Sequence, residues 1–184
     1  MKKISRMTAI LIAAAMVLTG SLVKARITFS SLEKKLETQF MEGTDRDGLS
    51  IASDMEIKLN VLKNTLTIAD RMENLDNKKI EDARQAAEQF QNCESYNALN
   101  EMEQLLDASF DALTQDLKQA DLKEKDRNYV LGFIDDYHAA DHRISQDPYH
   151  DMMEKTEKKT SGALAKLLMK ITFSHSDHYH AGGH

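Results

Sequence analysis

Positions 51–75 read IASDMEIKLNVLKNTLTIADRMENL. Within them Ile51, Met55, Leu59, Leu62, Leu66, Ala69, Met72 and Leu75 recur every three or four residues, forming one stripe along a helix of about seven turns. Lys58, Lys63, Asp70, Arg71 and Glu73 mostly fall off that stripe and are read as its solvated side. Ser50 or Ser53 can cap the start, and Asp54 and Glu56 favour the positive end of the helix. A stripe this long is stable only when other apolar surfaces cover it along its length. A buried leucine gains about 1.5–3 kcal/mol, against about 1–2 kcal/mol of backbone entropy per ordered residue.

The covering surfaces are present on both sides. Upstream, FSSLEKKLETQF at 29–40 places Phe29, Leu32, Leu36 and Phe40 on one helical face, and Gly43 and Gly48 bracket a polar turn. Downstream, Ile80, Ala83, Ala86, Ala87 and Phe90 begin a second long pattern, which Leu99, Met102, Leu105, Leu106, Phe110, Leu113 and Leu117 continue. Polar residues between Cys93 and Asn97 dent or break it. Asp121 and Glu124 have capping-box spacing, and Val130, Phe133, Tyr137, Ala140 and Ile144 form the next stripe. Asp147-Pro148 reads as a restart, with Pro where its missing N–H costs nothing. No stretch alternates with period two, and the chain has one Pro and seven Gly. The expected class is all-α: a long-helix up-and-down bundle of four or five helices.

The front end sets an expectation about location. Lys2, Lys3 and Arg6 precede the apolar run Met7–Val23, and no acidic residue occurs before Glu33. That is the layout of a secretory signal or a short membrane anchor, with Val23-Lys24-Ala25 a loose cleavage pattern. The domain plan is therefore 1–25 as signal peptide or transmembrane anchor, 26–173 as the bundle, and 174–184 as a flexible histidine-rich tail. The protein is expected outside the cytoplasmic membrane, held there by the N-terminal segment or released after cleavage near Ala25. The whole chain has a formal net charge of -6, and residues 1–25 carry four basic groups (Lys2, Lys3, Arg6 and Lys24) and no acidic one, so the rest of the chain stands at -10 and should repel nucleic acid. Cys93 is the only cysteine, which excludes an intrachain disulfide.

Candidate chemistry is sparse. DDYHAADHR at 135–143 puts His138 and His142 four apart on one helical face, with Asp135 one turn before them. A metal could meet two imidazoles and one carboxylate there. A zinc protease needs Glu directly after the first His as general base, and position 139 is Ala. The tail HSDHYHAGGH supplies His175, His178, His180 and His184, a density able to bind Zn, Ni or Cu. No phosphate-binding glycine loop or nucleophile–base set is present, and the carboxylates mostly fit the outer faces of helices beside Lys or Arg.

Three segments, GLSIASDMEIKLNVLKNTLTIADRM, IEDARQAAEQF and RISQDPYHDMMEKTEKKTSGALAKLL, together resemble the LemA family over roughly positions 45–172. In that family's aromatic–Asn motif Tyr149 takes the first aromatic place and Met153 the apolar one. His150 stands where Asn is usual, and Thr156 and Glu157 replace the second pair. The resemblance implies a bacterial, N-terminally membrane-anchored bundle with no catalytic residues to carry over. The expected function is non-enzymatic: a bundle presenting polar helix faces to an envelope protein partner. Metal binding or delivery through the tail, aided by His138 and His142, is the alternative, and a hydrolase using Asp135 or Asp136 a third reading.

Overall fold

A computed structural model describes residues 6–44, 48–93 and 95–162. Six helices account for most of them: α1 (Arg6–Glu42), α2 (Ile51–Ala69), α3 (Asn77–Gln91), α4 (Tyr96–Gln119), α5 (Glu124–Gln146) and α6 (Tyr149–Thr160). No strand occurs among the described residues, and the fold is the all-α bundle that the periodicity requires. The described chain divides into two compact units. Residues 38–150 form one, built from the last turn of α1 and the whole of α2, α3, α4 and α5. Residues 6–37 and 151–162 belong to the other, in which Phe29, Leu36 and Thr156 are buried.

Local chemistry sets the helix ends. Gly43 and Gly48 adopt φ of 79° and 78°, a backbone region that side chains with a Cβ rarely occupy. The Gly43 N–H closes the end of α1 onto the Gln39 carbonyl at 3.0 Å. Ser50 caps α2: its Oγ accepts the Ser53 N–H at 3.1 Å and donates to the Met41 carbonyl. Asp76 caps α3 by accepting the Lys78 N–H at 2.9 Å, and Asp147 accepts the Tyr149 N–H at 2.7 Å just after Pro148. Two boundaries differ from expectation. Helix α2 stops at Ala69, so Met72 and Leu75 lie in the turn to α3. Asp121 is not a cap: Lys123 occupies that position without a side-chain bond, and the connection is anchored by the buried Leu122.

Helix α2 is the centre of the larger unit, touching α3, α4 and α5, most extensively α5. The α3 face of Ile80, Ala83, Ala86, Ala87 and Phe90 is largely alanine, which lets α3 lie close along α4. On α5 the inward stripe is Val130, Ile134, Tyr137, Ala140 and Ile144, with Ile134 rather than Phe133 completing it. Phe110 of α4 and Tyr137 of α5 stack with ring centroids 3.8 Å apart and planes within 8°. Phe40 meets Tyr149 edge-on at 5.7 Å.

The front end requires a correction. Among the described residues no helix is long and apolar enough to cross a membrane. This overturns the expected transmembrane anchor, the membrane as a partner through residues 1–25, and a location held at the membrane by that segment. Physically, the 17 residues from Met7 to Val23 reach only about 26 Å as a helix, short of a hydrocarbon core of about 30 Å. Nor does the helix end there: α1 runs on without a break through Lys24, Arg26, Glu33, Lys34 and Lys35 to Glu42.

Candidate cation centre around Lys58

The side chain with the most unusual surroundings is one that the helical pattern places among the solvated residues. Lys58 lies between Met55 and Leu62 on the inward side of α2, with its side chain wholly buried. Its ammonium meets three carboxylates: Glu103 Oε1 at 2.9 Å and Asp107 Oδ1 at 2.7 Å from α4, and Asp141 Oδ1 at 2.9 Å from α5. The Tyr137 ring closes a further side, its centroid 5.1 Å from Nζ. Tyr137 in turn donates its hydroxyl to Asp107 Oδ1 at 2.6 Å.

Helical spacing builds this arrangement. Glu103 and Asp107 are one turn apart on α4, and Tyr137 and Asp141 one turn apart on α5, so each helix presents a pair to the same level of α2. One turn away along α2 the bridge is repeated with reversed polarity: Arg143 of α5 donates to Asp54 Oδ1 from Nη2 at 2.6 Å and from Nε at 2.8 Å.

The electrostatics follow from burial and sign. Burial pulls the Lys58 ammonium toward its neutral form, but the charges of Glu103 and Asp107 and their hydrogen bonds outweigh it, and its pKa rises. Burial first, and then the negative charge of Asp107, pushes the Tyr137 hydroxyl far above its ordinary value. Three formal negative charges face one positive charge. Glu103 is nearly inaccessible, while the side chains of Asp107 and Asp141 are 26% and 34% exposed and open the cluster to solvent.

Among the described residues Glu103, Asp107 and Asp141 are also the one group of three whose ligand atoms could share a metal, all lying within 4.8 Å of one another. A group able in principle to hold a metal ion is therefore present, but it is an all-oxygen set. Such a set suits Mg²⁺, Ca²⁺ or Mn²⁺ rather than the Zn, Ni or Cu expected of imidazoles. The point on which the oxygens converge is taken by the Lys58 ammonium, so an ion there has to exchange with it.

The residues singled out from sequence lie elsewhere. His138 and His142 are exposed on α5, with Asp135 and Asp136 exposed on the same helix. His175, His178, His180 and His184 lie outside the described residues. Cys93 is half-buried, its thiol 3.4 Å from the Ser95 carbonyl. The signal for the Lys58 centre was present but weak. Lys58 stands three residues after Met55 and four before Leu62, within the apolar arc, and Glu103 and Asp107 flank the inward Leu106. Compared with protein-family models, with curated proteins and with solved structures, the chain has no match, so the resemblance to LemA proteins rests on the quoted segments alone.

Proposed function

We propose that the chain is a non-enzymatic, cation-responsive helical bundle in which Glu103, Asp107 and Asp141 take a hard divalent ion in exchange for the Lys58 ammonium. What supports this reading is one observation: three carboxylates from two helices converge on a point that a single positive charge fills, leaving two formal negative charges uncompensated. Without the divalent ion Lys58 holds the three helices together; with it, Asp107 and Asp141 provide the entry side. Among the described residues no group positioned to attack or activate a substrate accompanies the carboxylates, and the buried Tyr137 hydroxyl is committed to Asp107. Binding is the chemistry such a site performs.

Thermal unfolding of the full chain with Ca²⁺, Mg²⁺ or Mn²⁺ tests the proposal. A saturable rise in Tm is expected, larger in Lys58→Met, where the competing ammonium is gone. If neither the wild type nor Lys58→Met responds to any of the three ions, the reading is wrong. Should Lys58→Met fold only with an ion present, that rescue is itself support.

A second reading, a module that docks another protein, is favoured by a groove between α3 and α4. Leu105 is 43% exposed there, beside Ala108, Ala112, Gln85 and Gln89. Under it, Leu105→Glu abolishes capture of the partner and leaves the fold intact.

A further inference from the structure

We infer that His138 and His142 form a two-imidazole clip for a transition-metal ion, Cu²⁺, Zn²⁺ or Ni²⁺, on the outward face of α5. This goes beyond the carboxylate centre: the residues, the face of the helix and the class of metal all differ.

Helix α5 is continuous from Glu124 to Gln146, so residues 138 and 142 are one turn apart on a regular backbone. Side chains in that relation start about 5–6 Å apart, a separation that two imidazoles span when they share one ion at metal–nitrogen distances of about 2.0–2.1 Å. Both residues are exposed. Among the described residues neither ring is committed to a hydrogen bond or an ion pair. The one ring contact is the edge-on approach of His138 to Tyr137, with centroids 6.4 Å apart. The Oγ of Ser145 bonds the carbonyl of His142, which leaves its imidazole untouched.

Asp135 extends the same face one turn toward the N-terminus, exposed and without a partner among the described residues. From there it can accept the second N–H of His138, as outer carboxylates do for metal-bound imidazoles. The helix already holds the backbone in place, so ordering the clip costs only side-chain rotamer freedom, unlike capture by a loose polypeptide. Ala139 excludes hydrolysis of the zinc-protease kind, because nothing stands where the general base is needed. The inferred activity is capture alone, with the remaining coordination positions left to water or to a ligand from another molecule.

The test uses the full chain with His175, His178, His180 and His184 replaced by Ala, so that their imidazoles cannot mask the clip. Isothermal titration with Cu²⁺ and Zn²⁺ should give one equivalent on this background. Adding His138→Ala and His142→Ala should weaken it by roughly tenfold or more, as expected when a chelate is dismantled. Alanine is the best helix former, so the doubly substituted α5 remains helical. Absence of the equivalent, or its survival in the double variant, overturns the inference. A response to Ca²⁺ or Mg²⁺ bears on the Lys58 centre alone, so the two proposals can fail independently.

Discussion

The two sides of α5 carry the same kinds of side chain and come to opposite ends. Its inward side presents Tyr137 and Asp141 to α2 and α4, where they enclose the Lys58 ammonium. Its outward side presents Asp135, His138 and His142 to water. Asp141 and His142 are adjacent in sequence, yet one is tied to a buried charge and the other is free. A helix rotates each residue by about 100° from the last, so neighbours face different solvents. Polar residues on the dry side must be paired, and those on the wet side need no partner. An ionic group's role in this molecule is therefore set by its angle around the helix.

The sharpest way to break that contrast is to remove the charge on the dry side. Lys58→Met leaves three carboxylates facing one another and should destabilise the fold by about 3–5 kcal/mol, toward the lower end because water reaches Asp107 and Asp141. Urea denaturation measures it. A loss below about 1 kcal/mol would show that the cluster is strongly screened.

Tyr137→Phe is the next largest. It keeps the stacking on Phe110 and deletes only the hydroxyl bond to Asp107. Hydrogen bonds to charged groups are worth about 1.5–3 kcal/mol, and denaturation of this variant should show a loss in that range.

Alkaline pH probes the same centre without mutation. Both Lys58 and Tyr137 hold their protons more tightly in the folded chain than at their ordinary values of 10.5 and 10.0. Unfolding releases those protons once the pH exceeds the ordinary values, so stability is full below about pH 10 and declines as the pH rises further. A pH series of melting curves should show that decline, and Lys58→Met should show less of it.

The smallest effect belongs to the wet side. Asp135→Ala or His142→Ala should change stability by no more than about 0.5 kcal/mol, as surface substitutions generally do. A larger loss from either would mean that the outward face is covered and would undo the comparison.

Much of the bundle was legible before any coordinates. Apolar spacing marks all of the long helices, and the polar stretch expected to dent or break the second pattern does break it, α3 ending at Gln91 and α4 starting at Tyr96. Ser50 and Asp147 cap where their residue types and positions indicate. The misses have identifiable causes. Asp121 and Glu124 matched a capping pattern, but burial of Leu122 fixed that connection instead. Composition marks the front as apolar, whereas membrane spanning depends on length and on what the helix does next. Lys58 reads from its sequence pattern as solvated, and Glu103, Asp107 and Asp141 draw no notice among the many carboxylates that fit outer helix faces. Their spacing allowed an inward position without requiring it.

The sequence by itself determined that this chain is helical, where most helices begin and end, and which stripe of each is apolar, because those properties arise within one or two turns of backbone. Only the tertiary structure decided that the buried Lys58 and Glu103 meet the solvent-edged Asp107 and Asp141 at one centre. That depends on residues 45 to 83 positions apart arriving at one level of the bundle, and no local pattern encodes such a meeting. Burying the Lys58 charge alone would be costly; the three carboxylates that meet it once α2, α4 and α5 are packed, two of them still reached by solvent, offset that cost.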